Sequence, residues 1–277
     1  MATVGIVSAG AMGSAVGASL VRGGARVVTS IAGRSDRTGR LARQAGLELL
    51  QDVAEVVAGA DVVLSIVPPG EAEAVAAALA DSRLLADLNA IAPATVRRIA
   101  PDVDGSISGP PPRTAGTTTI YLAGPRAGEV AALPFDGVAV VVVGAEIGAA
   151  SAVKMSTASV YKGSVALLAQ ALRAADHYGV LDHVLADLAD LAVDPGRRIS
   201  RAAAKAGRYV DEMHEIAAAQ AGAGLEPALF EALARVYAEI ASTPLGRVAP
   251  EDAGSDLEHA LEQLRPSRDD GQSRAGS

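Results

Sequence analysis

The sequence has no cysteine, which excludes disulfides, a thiolate nucleophile and any cysteine-based metal site, and leaves the redox compartment unmarked. Aromatic residues are scarce, at 3% of 277 residues, although 50% of the chain is apolar. The core must therefore be built mainly from Ala, Val, Leu and Ile. Basic residues are outnumbered: the net charge is −8, which argues against nucleic-acid partners and anionic membrane surfaces, since both call for a basic patch. No apolar run approaches the ~20 charge-free residues of a membrane-spanning helix, and no basic segment precedes an apolar core at the N-terminus. A soluble cytoplasmic protein is expected. The four histidines have no paired metal-ligand spacing, so no metal centre is expected. GxSxG, HExxH and P-loop patterns are absent, as is any repeat of 20 to 50 residues.

What is present is an alternation. Apolar runs suited to buried parallel strands occur at Thr3 to Val7, Arg26 to Ile31, Asp61 to Val67, Leu84 to Leu88 and Gly137 to Val143, with helical patterns between them. This rhythm predicts an α/β fold, an N-terminal Rossmann-type doubly wound parallel sheet over residues 1–145. Residues 105–116, "GSISGPPPRTAG", read as an irregular loop because three consecutive prolines remove three donors. Beyond Gly144 the texture changes: residues 146–178 lack proline and suit one long helix ended by Gly179, and five shorter helical patterns follow. An all-α second domain is expected over residues 146–264, with a polar, disordered tail at 265–277.

The turn after the first strand, Ser8-Ala9-Gly10-Ala11-Met12-Gly13, is a dinucleotide fingerprint with serine in the first glycine position. A pyrophosphate bound at a helix N-terminus requires small residues where the phosphate approaches, and Gly10 and Gly13 satisfy this. An acidic residue about 20 positions on would mark a ribose 2′-hydroxyl, whereas arginine marks a 2′-phosphate. Here Arg34, Ser35 and Arg37 stand at that place, which favours NADP(H). The competing reading is a helix start with Ser35 or Asp36 as N-cap and the arginines merely exposed.

Lysine is rare too. Of 24 basic side chains, only Lys154, Lys162 and Lys205 are lysines, and a deprotonatable amine is something arginine cannot supply. Thr157 and Tyr161 share the helical face of Lys154. From composition alone a lysine that snorkels to solvent is the favoured reading, with a general acid/base at Lys154 and a substrate contact at Tyr161 as the alternative. Replacing Lys162 or Lys205 with Met is expected to leave most activity, and Glu212 and Glu215 are expected to be solvated or cap-related.

The ordered segments "GIVSAGAMG", "AGRS", "ADVVLSIVPPGEA", "DLNAIAPATVRRIA", "DGSISGPPP" and "GAASAVKM" resemble the β-hydroxyacid dehydrogenase and 6-phosphogluconate dehydrogenase superfamily. The likeness is greatest to its small members with an uncharacterised helical C-terminal domain. The resemblance implies that Val67, Pro68 and Asn89 line the cofactor, that Ser108 and Gly109 begin a substrate-carboxylate loop, and that Lys154 is the catalytic lysine. It also implies a homodimer through the helical domain. Pro110 replaces a loop glycine, Ala158 the usual asparagine, and His214 a later lysine, so His214 becomes a candidate substrate contact. The expected function is NADPH-dependent hydride transfer to or from a small hydroxy- or oxo-acid; the alternatives are an imine reductase and a non-catalytic NADP(H)-binding protein.

Overall fold

The computed structural model describes residues 2–189 and 194–265; nearly all of the expected tail lies outside them. Eight strands form one sheet: β1 (Thr3–Val7), β2 (Arg26–Ser30), β3 (Glu48–Leu50), β4 (Val62–Ser65), β5 (Leu85–Asp87), β6 (Val103–Ser108), β7 (Thr119–Ala123) and β8 (Ala139–Gly144). Their order is β3-β2-β1-β4-β5-β6-β7-β8. Every neighbouring pair is parallel except β6–β7.

The intervening helices are α1 (Ala11–Arg22), α2 (Asp36–Gln44), α3 (Val53–Gly59), α4 (Ala72–Ala78), α5 (Pro93–Ile99) and α6 (Ala127–Ala131). Helices cover both faces of the central strands, but the run Gly137 to Val143, expected as a buried strand, forms the edge strand β8 with Val141, Val142 and Val143 exposed. Val16 and Leu20 of α1 and Val130 of α6 pack with Val4 and Ile6 on one side, while Val57 of α3 and Val96 of α5 pack with Val7 and Val63 on the other. Burial on both faces explains why β1 and β4 read as continuous apolar runs.

Strand β6 corrects the sequence reading. Residues 105–108 belong to it, so the irregular segment starts only at Gly109. A run holding Asp104, Gly105 and Ser106 lacks strand-like hydrophobicity, yet both polar side chains are buried with partners. Strand β3 and helices α3, α5 and α6, three to seven residues long, add to the elements expected from the sequence.

The remaining helices are α7 (Ala149–His177), α8 (Leu181–Asp187), α9 (Pro195–Ala203), α10 (Ala206–Gly222), α11 (Ala228–Ser242) and α12 (Leu257–Gln263). The long proline-free helix forms as expected, and Gly179 after it takes the left-handed conformation, φ +69°. The described residues divide into two compact units, 2–157 with Ala218–Leu225, and 158–189 and 194–217 with 226–265. Lys154 thus falls in the first unit and Tyr161 in the second. No described helix is long and apolar enough to cross a membrane.

The second unit holds a buried charge cluster that overturns one expectation. Glu212, only 3% exposed, pairs with Lys162 and with Arg208 at 3.2 Å. The Lys162 ammonium also lies 4.7 Å from the centre of the Tyr209 ring, and the Tyr237 hydroxyl donates to the Lys162 carbonyl at 2.7 Å. Glu212 is therefore neither solvated nor a cap, and Lys162 is its structural partner.

Candidate functional site

Strands β1, β2 and β3 run outward in one direction, and β4, β5 and β6 in the other, so the topology reverses between β1 and β4. In such sheets the ligand crevice opens outside the carboxyl ends of the strands at the reversal. Because β1 to β6 are parallel, their carboxyl ends share one edge. That edge carries Ser8–Gly13 after β1, Arg34, Ser35 and Arg37 after β2, Val67 and Pro68 after β4, Asn89 after β5, and Ser108 and Gly109 at the end of β6.

The first turn is built for close approach. Ser8 adopts φ +70°, a left-handed conformation that costs a non-glycine residue roughly 1–2 kcal/mol. At Gly13 any Cβ would be driven into the Ser8 carbonyl oxygen, so only glycine lets α1 start this near β1. At Gly10 the opposite holds: a Cβ would meet nothing within 4 Å. Helix α1 has no side-chain cap and no acidic residue in its first turn, leaving its unpaired amides and positive dipole end facing open space. These features fit the pyrophosphate of a dinucleotide.

Past β2, Gly33 turns the chain at φ +68° and the Arg34 guanidinium reaches Glu71 at 3.8 Å, both partners accessible to solvent. A pair this exposed contributes little and yields readily to a stronger anion. The Ser35 hydroxyl accepts from the Thr38 amide at 3.4 Å. It acts as the N-cap of α2, as the competing reading held. Arg37 is exposed on the first turn of α2.

Asn89 is a strut. Its Oδ1 accepts from the Val67 amide at 2.6 Å, and its Nδ2 donates to Ser65 Oγ at 3.1 Å and to Asp87 at 2.8 Å. These bonds tie the loop after β4 to the loop after β5. Asp87 is almost fully buried, and that burial pushes its carboxyl up to about 7, against the two Asn89 hydrogen bonds and with Asp104 nearby adding to the rise. A raised folded-state value means that the folded chain holds this proton more tightly than the unfolded chain. The stabilisation is fully present below the ordinary aspartate value of 3.8 and is lost as pH climbs through 7. The loss amounts to about 4 kcal/mol at 1.36 kcal/mol per unit. Asp87→Asn is therefore expected to gain stability relative to the parent between pH 5 and pH 8 in urea titrations; parallel curves would show that Asp87 stays ionised throughout.

Lys154, in the second turn of α7, is partly buried and donates from Nζ to the Ile107 carbonyl at 2.7 Å. The helix thus brings the lysine to the end of β6, beside Ser108. Gly109 has φ +106°, and a Cβ there would strike the Thr117 carbonyl oxygen. The Pro110 carbonyl is held by the Thr118 hydroxyl at 2.6 Å. Thr157 turns its hydroxyl back onto the Val153 and Lys154 carbonyls. Tyr161, 76% exposed, and His214, exposed on α10, belong to the second unit. The sequence reading missed Asp87 and Asp104, which lie side by side across β5 and β6. Their signal was an acid inside each interior strand, in "LADLN" and "VDGSIS", where a carboxylate requires dedicated partners.

Residues 3–91 match the family model described as NADP oxidoreductase coenzyme F420-dependent, and residues 175–240 match the domain of unknown function DUF1932. The "uncharacterized 28.5 kDa protein in 7S RNA 5′ region" of Methanothermus fervidus is 28% identical over 167 residues, 57% of this chain and 65% of that relative. The match thus spans just under two thirds of the relative's length. Among solved structures, the conserved protein MTH1747, of unknown function and described as similar to 3-hydroxyacid dehydrogenases, is 30% identical. That match covers 86% of this chain and 96% of the other, with a TM-score of 0.65. Mycobacterium tuberculosis 3-hydroxyisobutyrate dehydrogenase, solved with L-serine, shares the fold at 21% identity, 96% and 100% coverage and a TM-score of 0.68. An imine reductase from Myxococcus stipitatus, in complex with NAD+, shares it at 18% identity, 95% and 99% coverage and a TM-score of 0.53.

Proposed function

Because this chain belongs to the β-hydroxyacid dehydrogenase and 6-phosphogluconate dehydrogenase NAD-binding superfamily, we propose that it is an NADPH-dependent oxidoreductase acting on a small hydroxy- or oxo-acid. One observation carries the reading: the open N-terminus of α1, at the sheet reversal, shares an edge with the tethered amine of Lys154. In the proposed assignment, Ser8 to Gly13 and the α1 amides hold the pyrophosphate, Arg34 and Arg37 the 2′-phosphate, and Val67 and Pro68 flank the cofactor. Asn89 keeps the Val67 loop in place. The bound nicotinamide supplies or accepts the hydride. Lys154 gives a proton to the substrate oxygen during reduction and takes it back in the reverse direction, while Ser108 and the Gly109 amide orient the substrate carboxylate.

A second reading has its own support. Pro110 removes one amide from the carboxylate loop, which favours a substrate without that group, such as a cyclic imine. A screen of oxo-acids, hydroxyacids and cyclic imines, followed by nicotinamide absorbance in both directions, separates the two readings. Silence across the screen would favour a non-catalytic dinucleotide-binding protein.

Arg34→Ala is expected to weaken NADPH by roughly 1.5–3 kcal/mol, the worth of a hydrogen bond to a charged group, and to leave NADH nearly unchanged in fluorescence titrations. Equal losses for both cofactors would remove Arg34 from 2′-phosphate recognition.

A further inference from the structure

Asp104, in the interior of β6, is fully buried, and its carboxylate is spent on the start of α7. Oδ2 accepts from the amides of Gly148 at 2.9 Å, Ala150 at 2.9 Å and Ser151 at 3.1 Å, and Oδ1 accepts from the Ser151 hydroxyl at 2.7 Å. Two residues along the same face of the strand, the Ser106 hydroxyl donates to the Ala150 carbonyl at 2.9 Å. The next residue, Ile107, supplies the carbonyl that receives Lys154 Nζ at 2.7 Å.

We propose that Asp104 is a positioning residue: by clamping the first turn of α7 to β6 it sets where the Lys154 amine stands. The physical basis is local. The first amides of a helix have no partner within it, and a carboxylate there is favoured by the helix dipole as well as by the hydrogen bonds. Lys154 lies on the very next turn, so the lever from clamp to amine is short. Without the carboxylate, three buried amides lose their acceptor, the first turn opens, and the register between Lys154 and Ile107 is lost. All of these groups lie in the first compact unit. The functional meaning rests on the reading of Lys154 as proton relay, but the test does not pass through turnover.

The experiment measures the rate at which N-hydroxysuccinimidyl acetate acetylates each lysine in the full chain, resolved by peptide mass spectrometry, with Lys205 as internal reference. Asp104→Ala is expected to raise the Lys154 rate about 5-fold, the opening that loss of one net hydrogen bond permits, and to leave Lys205 unchanged. Asp104→Asn should restore the parental rate, since its carboxamide oxygen can take the three amides while its NH2 donates to Ser151. Val103→Ala, a cavity on the same strand, controls for general destabilisation and should leave Lys154 unchanged. Should Asp104→Ala fail to fold, Asp104→Ser, whose hydroxyl is too short to span three amides, is read by the same criterion. A parental Lys154 rate in the Ala or Ser variant overturns the proposal, as does an equal rise in Val103→Ala. Failure of the enzyme reading would show instead as activity that survives loss of Lys154.

Discussion

Lys154→Met is expected to lower turnover by about 10²–10⁴-fold, the usual range for a lost general acid or base, while NADPH affinity and the fold persist. Methionine is a good helix former of similar length, so α7 keeps its start. The change removes the donor to the Ile107 carbonyl, a net cost of about 1 kcal/mol, which does not unfold a domain of this size. Lys205→Met is the matching control for charge, being exposed between α9 and α10. Steady-state rates on any substrate from the screen, with circular dichroism on each variant, decide the matter. An unfolded Lys154→Met protein would mark a structural amine, and a folded, fully active one would take the lysine out of the mechanism.

The second large effect is on stability. Lys162→Met is expected to destabilise the chain by about 3–5 kcal/mol, because it breaks a buried ion pair from one side only. Glu212 stays buried with Arg208 as its remaining charged partner, and the ammonium over the Tyr209 ring is lost as well. Adding Glu212→Gln to Lys162→Met should recover much of the loss, since an amide tolerates burial better than an unpaired carboxylate. Urea unfolding of the two single variants and the double variant gives the coupling energy. A Lys162→Met midpoint equal to the parent's would show that Arg208 alone satisfies Glu212.

These two lysines also show where reading a sequence stops. Both were visible as rare residues on one proline-free helix, and the resemblance singled out Lys154. That Lys162 belongs to a buried cluster depends on Glu212, fifty residues away, and on Tyr209 and Tyr237. Ser35 illustrates the intermediate case: the sequence offered it as an N-cap, and α2 forms with its hydroxyl on the Thr38 amide, while Arg34 and Arg37 beside it stay exposed.

By itself, the sequence determined the features with a strong short-range signal. The five apolar strands, the turn from Ser8 to Gly13, the basic end of β2 and the long helix that carries Lys154 follow from residue size, backbone freedom and periodicity within a dozen or so positions. Only the tertiary structure decided which polar residues are structural. Strand β6 stays ordered because Asp104 and Ser106 find partners on α7 more than forty positions later, and Asn89 braces the Val67 loop across two strands. The reason is the cost of desolvation: a buried polar group persists only where it is satisfied, and its partner is chosen by proximity in the fold, which spacing along the chain does not encode.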